Sequence, residues 1–274
     1  MTNELPLPVD DGQLIPEVGP WSYDKHYFLW RYLNAFTTAM GKKKWEGLHY
    51  IDLFAGAGIQ RLEGSNRLEW GSPLLAAQAK RPFARLHLCE KNKKKCGALR
   101  ERLKQFQHPA DPQLVLGDAN KKVTEIVNTI PSGALSLAFL DPNGLHLHFS
   151  TVQALASRKS DLIIFFPDRL DALRNWGFYR KSRDSNLDHF LGTDVDWRSA
   201  FEQVPNDKLP EVLRRLYENK LRTLGYAYFE SERICAYGNP LYLLIFCTKN
   251  AAGLDIWKGV SMKKPDEQRT FPFQ

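Results

Sequence analysis

The apolar positions of this chain change period along its length, and the changes mark its elements. Tyr50-Ile-Asp-Leu-Phe54, Leu86-His-Leu-Cys-Glu90, Leu114-Val-Leu-Gly-Asp118, Leu135-Ser-Leu-Ala-Phe-Leu140 and Asp161-Leu-Ile-Ile-Phe-Phe166 are short, mostly apolar runs. Runs of this kind read as strands covered on both faces, as in a parallel sheet. Upstream, Phe28, Leu29, Tyr32, Leu33, Phe36, Ala39 and Met40 recur at helical spacing, with Ser22 as the expected cap and Gly41-Lys-Lys-Lys44 as the close. Lys25 and His26 fall in its first turn and read as a solvated lysine and a hydrogen-bonded histidine. Further helices are predicted from Ser72-Pro73 to Lys80, over 91–102 and over 209–225, and residues 59–70 read as a polar loop. Tyr226–Ile234 and Leu241–Thr248 are two more strands. The link between them, with Gly238-Asn-Pro240, is too short for a parallel crossover, so they are expected to run antiparallel. The result is an α/β chain: seven strands, mostly parallel with an antiparallel last strand, and helices on both faces.

The chain is organised around Leu48–Gly58, where the first strand breaks into Ala55-Gly-Ala-Gly58. So bare a backbone can lie against a ligand, since glycine takes positive φ cheaply and offers no Cβ. Asp52, inside an apolar run, is expected to hydrogen bond loop amides or a ligand amine. Dinucleotide and S-adenosylmethionine (SAM) cradles both follow a first strand with a glycine turn. The dinucleotide fingerprint wants a third glycine where Arg61 stands, and no Gly-Lys-Ser/Thr phosphate loop is present. Asp52-Leu-Phe-Ala-Gly-Ala-Gly58 resembles the first motif of class I SAM-dependent methyltransferases. The candidate cofactor contacts are therefore Asp52, Phe54, Ala55, Gly56 and Gly58. To these are added Glu90, ending the second strand as a ribose hydroxyl acceptor, and Asp118, after the third, as an acceptor for the adenine amino group.

Asp141-Pro-Asn-Gly144 follows the fourth strand at the sheet edge where open α/β folds bind ligands. Amino-methylating nucleic-acid enzymes have there an Asp or Asn, two prolines and an aromatic residue. Asp141 and Pro142 fit; Asn143 and Gly144 depart from it. Asp141, Pro142 and Asn143 are the candidate catalytic group. His146 and His148 carry too weak a spacing for a metal, and Asp194-Val-Asp196 reads as a loop, so no metal is assigned. Residues 168–200 interleave Trp176, Phe178, Tyr179, Phe190 and Trp197 with Arg180, Lys181 and Arg183. That suits stacking plus phosphate contact with single-stranded nucleic acid, and equally a lid with a small core.

Charge and cysteines add modest constraints. The 38 Lys and Arg against 31 Asp and Glu give a formal charge of +7, which favours a polyanion. Cys89, Cys96, Cys235 and Cys247 match neither zinc-ligand pairs nor a disulfide framework, so reduced thiols are expected. No basic leader precedes an apolar core and no long apolar stretch occurs, which predicts a cytoplasmic enzyme without a membrane span. The domain plan is an extended arm over 1–21, rich in proline, then a methyltransferase-like domain over 22–250 with a lid at about 168–200, and a short tail over 251–274.

Together, Lys25-His26, Asp52–Gly58, Gly71-Ser-Pro73, Asp141–Gly144 and Leu187-Asp-His-Phe-Leu-Gly192 make the chain similar to the three-Cys-motif partner protein family (TcmP), over about residues 22–260. The resemblance implies a Rossmann-like class I methyltransferase fold, SAM as cofactor, and a radical-SAM-like partner bearing a three-cysteine motif. It leaves two functions open: methyl transfer, favoured onto an amino group of nucleic acid, or a non-catalytic module that binds the partner.

Overall fold

The protein is described by a computed structural model covering residues 6–105 and 112–263. Residues 1–5 of the arm and 264–274 of the tail lie outside the described residues. In chain order the first elements are β1 (Glu17–Val18), α1 (Ser22–Met40), β2 (Leu48–Asp52), β3 (Ile59–Leu62), β4 (Leu68–Trp70) and α2 (Ser72–Ala77). Then come β5 (Arg85–Glu90), α3 (Lys93–Gln105), β6 (Gln113–Leu116), α4 (Ala119–Asn128), β7 (Leu135–Leu140), α5 (Phe149–Ala156) and β8 (Lys159–Phe166). A π-helical turn (Asp168–Leu173), α6 (Trp176–Lys181), α7 (Asn186–Leu191) and α8 (Trp197–Ala200) lead to α9 (Leu209–Thr223), β9 (Tyr228–Ala236), β10 (Asn239–Thr248) and α10 (Ala251–Ser261).

Seven strands form one sheet in the order β6-β5-β2-β7-β8-β10-β9. The first five are mutually parallel, and β10 runs antiparallel to both β8 and β9. The β9–β10 link is only Tyr237-Gly238, with φ of 50° and 78°, the two positive values that a two-residue turn between twisted strands requires. Alternation along each strand divides the core. Ile51, Ala138, Leu140, Ile164 and Phe166 face α4, α5, α9 and the 168–200 segment. Tyr50, Leu137, Phe139, Ile163 and Phe165 face α1, α2, α3 and α10. With both faces covered, the β7 run has no exposed position to break it, and so it reads as continuous.

Several local expectations are corrected. Trp21, not Ser22, is the N-cap of α1, and Ser22 lies buried inside the first turn. Residues 59–70 are not a polar loop: β3 and β4 pair antiparallel and β1 joins β3, making a small separate sheet. Ile59, Leu62 and Leu68 are buried there among Arg61, Arg67 and Glu69, charges that hide the strands in the sequence. In the 168–200 segment Trp176, Tyr179, Phe190 and Trp197 are buried and join the core on that face of the sheet, which leaves only Phe178 among the named aromatics exposed. Beyond β10 the chain is more helical than expected, with Trp257 of α10 stacked 4.8 Å from Phe246.

On the neighbouring interior strands β2 and β5, His49 and His87 share a hydrogen bond of 2.9 Å between Nδ1 and Nε2. Burial disfavours the charged ring, lowering His49 and pushing His87 down to about 3. Since the folded value lies below the unfolded 6.5, this contribution to stability is complete above pH 6.5 and is lost as pH falls toward 3. Asp52 and Asp161, raised to about 7 and about 6, act in the opposite sense, losing their contribution as pH rises through those values. Comparison with a variant isolates the histidine part. Urea midpoints of His87→Gln are expected to fall less steeply than wild type between pH 6.5 and 4; parallel slopes would refute the assignment.

Candidate functional site

At the carboxyl ends of the parallel strands lies a cleft of about 970 Å³. Its floor is the turn after β2. The amide of Ala55 bonds the Cys89 carbonyl at 2.9 Å, and the amide of Gly71 bonds the Gly58 carbonyl at 2.7 Å, so the turn is held from both sides. Gly56 and Gly58 both have positive φ, 66° and 88°, for different reasons. A Cβ on Gly56 would meet nothing within 4 Å, because that position opens into the cleft; one on Gly58 would lie 2.9 Å from side-chain carbons of Leu74 and Leu99. One glycine keeps the cleft floor bare, and the other admits the core beneath it.

Phe54, Ala55, Gly56, Gly58, Glu90 and Asp118 all line the cleft, and so do Asp141, Pro142 and Asn143. Asp52 is the exception among the expected site residues. It is fully buried beneath the turn, accepting from the Phe54 amide at 3.1 Å and the Tyr50 hydroxyl at 3.3 Å, with Ser72 as a further donor. Burial pushes its carboxyl up to about 7. It lies beneath the turn and does not line the cleft, and it bonds the loop amide of Phe54. Ser72 is accordingly engaged with Asp52, and Gly71 is the N-cap of α2.

Glu90 ends β5 with both oxygens engaged: Oε2 accepts from the Gly56 amide at 2.8 Å and Oε1 from the Asn92 amide at 2.6 Å. Each oxygen keeps a second lone pair for a hydroxyl. Asp118 caps α4, accepting from the Asn120 amide at 2.9 Å, and pairs with Lys91 at 3.2 Å.

At the end of β7, Asp141 meets a residue read from sequence as solvated. Lys25 is 8% exposed, and its Nζ lies 2.5 Å from Asp141 Oδ2 and 5.9 Å from the centre of the Phe165 ring. A signal existed: Lys25 shares the i, i+4, i+7 stripe of α1 with Leu29 and Tyr32, both fully buried. The other oxygen, Oδ1, is buried with no hydrogen-bond partner among the described residues. His26, beside Lys25, bonds Gln60 at 3.0 Å as expected, and burial keeps its ring neutral.

Gly144 has φ +102°, and a Cβ there would stand 2.7 Å from Asp171 Oδ2. An aromatic side chain could not take this position without displacing Asp171. That carboxylate, carried by the π-helical turn, accepts from the Leu145 amide at 2.9 Å, Asn175 at 2.8 Å and the Tyr179 hydroxyl at 2.7 Å. It ties the 168–200 segment to the Asp141 loop.

No protein-family description matches this chain, and no curated protein matches it in sequence. Solved structures match it in fold. A Legionella pneumophila protein of family DUF519 aligns at 12% identity over 88% of this chain and 90% of its own, with a TM-score of 0.54. An O-methyltransferase from Bacillus cereus, solved with SAH, aligns at 12% identity over 80% of each chain with a TM-score of 0.49. TYW2 of M. jannaschii, solved with AdoMet, aligns at 13% identity over 83% of this chain and 75% of its own with a TM-score of 0.43. At such identities the likeness is one of fold. Five parallel strands closed by an antiparallel hairpin, with helices on both faces, make this a Rossmann-like α/β fold.

Proposed function

We propose that this chain is a SAM-dependent methyltransferase acting on an amino group, with nucleic acid as the favoured acceptor. One observation carries the reading: Asp141, whose buried Oδ1 has no hydrogen-bond partner among the described residues, lines the same cleft as the bare turn at Gly56. A buried carboxylate oxygen without a donor is unfavourable, and an acceptor N–H would supply that donor. Bound SAM supplies an electrophilic methyl group on its sulfonium. The chain's part is positional. Glu90 has lone pairs for the ribose hydroxyls, Asp118 for the adenine amino group, and Ala55 and Gly56 offer nearly bare backbone beside Phe54. Lys25 fixes Asp141 through Oδ2, so that Oδ1 orients the amine with its lone pair directed into the cleft. The fit to SAM rests on these groups and on the open space over Gly56.

The choice of nucleic acid is supported by the formal charge of +7 and by the side chains at the cleft, where Lys91, Lys95 and Arg174 add positive charge. Phe178, Arg180, Lys181 and Arg183 are exposed on the adjoining segment. That segment, through Leu170, Asp171 and Arg174, serves as a lid on the acceptor side. The resemblance to three-Cys-motif partner proteins adds a radical-SAM-like protein as the associated partner.

A second reading, a non-catalytic module that binds this partner, is favoured by the Lys25 ammonium already seated on Asp141. Transfer of labelled methyl from SAM to separate RNA, DNA and protein fractions distinguishes the two. Label entering RNA or DNA supports the enzyme; SAM binding with no label in any fraction supports the module.

A further inference from the structure

We propose that the arm at residues 6–21 is a working wall of the cofactor site, and that Arg102 sets cofactor affinity by pinning this arm to the glycine turn. The proposal rests on the SAM reading above. Arg102 projects from α3, in a stretch of basic residues that reads as a solvated face, yet it is 1% exposed. Its fork meets four acceptors. Nε and Nη2 donate to the two oxygens of Asp11, each at 2.7 Å, while Nη1 donates to the Leu14 carbonyl at 3.0 Å and the Ala57 carbonyl at 2.7 Å. Asp11 and Leu14 belong to the arm; Ala57 belongs to the turn after β2.

One guanidinium therefore spans both structures, and a lysine ammonium could not reproduce its planar fork. Past this anchor the arm continues as β1. The Arg61 and Glu63 amides of the small sheet donate to the carbonyls of Pro16 and Val18, each at 2.9 Å. Pro16, Glu17, Val18 and Trp21 then line the cleft. Detaching the arm would leave a buried cation without its carboxylate and would open one side of the cleft to water. Arm docking and cofactor binding are thus coupled through Arg102, a positioning residue that touches no ligand, and the coupling must be reciprocal.

The test uses the full chain, titrating SAM calorimetrically and following thermolysin cleavage at Leu14-Ile15. Asp11→Asn is the main variant because Asp11 lies on the arm, outside the sheet core. Asp11→Arg, which sets like charges together, forces detachment. Asp11→Asn is expected to weaken SAM roughly tenfold and Asp11→Arg more, within the range usual for coupled sites. Urea midpoints should fall, since Arg102 loses its counter-charge, with the variants still folded in the binding buffer; cleavage should quicken, and saturating SAM should slow cleavage of the wild type. Wild-type binding of SAM with equal affinity in both variants overturns this proposal alone. A wild-type chain that takes no SAM overturns the methyltransferase reading and this proposal with it.

Discussion

Asp141→Asn is expected to lower methyl transfer by about 10²- to 10³-fold, the loss seen when one preorganised polar group is removed from a reacting centre. The side chain keeps its shape, so the effect is electrostatic. The carboxylate of Asp141 gives Oδ2 to Lys25, and on the proposed methyltransferase reading Oδ1 is the oxygen for the acceptor. An amide offers one oxygen and two donors: if the oxygen stays with Lys25, an NH₂ faces the acceptor amine, which is repulsive. SAM affinity should hardly change, since Glu90 and the turn are untouched, so kcat falls and the KM for SAM does not. The substitution also leaves Lys25 without its counter-charge in a nearly buried setting, and the melting temperature should drop with it. Transfer within threefold of wild type would remove Asp141 from its assigned role.

Gly58→Ala is expected to destabilise the fold by about 2–5 kcal/mol, the sum of roughly 1–2 for a left-handed backbone and 1–3 for overpacking. Both terms are visible: φ is +88°, and the new Cβ would stand 2.9 Å from Leu74 and Leu99. Gly56→Ala provides the contrast, having φ +66° but nothing within 4 Å of its Cβ. It should lose only the backbone term, about 1–2 kcal/mol, while placing a methyl group in the cofactor cleft. The two variants therefore separate stability from binding. Gly58→Ala should shift the urea midpoint strongly, whereas Gly56→Ala should shift it little and weaken SAM. Equal midpoints would mean that the core beneath the turn is looser than its contacts indicate.

The fold was legible where burial is uniform along a strand. Leu135–Leu140 is buried at every position and reads as one apolar run, and the short connection before Pro240 allowed only an antiparallel pair. Likewise the cleft residues Glu90, Asp118 and Asp141 stand where strands end, and strand ends can be found from periodicity. What sequence left hidden depends on long-range partners. Lys25 and Arg102 read as solvated: the stripe of α1 marks Lys25 as inward-facing, but nothing local names Asp141, 116 positions away, or Asp11, 91 positions away, as the group that meets the charge. For Asp52 the sequence indicates a bond to a loop amide, but an apolar strand says that a carboxylate is buried and not which side of the turn it supports. The aromatics of 168–200 fit either a core or a stacking surface by composition; their packing around Trp197 uses most of them as core.

The account stands or falls on what occupies the turn after β2. Titrating SAM and NAD separately into the wild-type chain and into Glu90→Gln tests this most directly. SAM should bind the wild type at one site and NAD should not. Glu90→Gln should weaken SAM by roughly tenfold or more, the loss expected when hydrogen bonds to a charged acceptor are withdrawn. Binding of NAD in place of SAM, or SAM binding indifferent to Glu90, would contradict it.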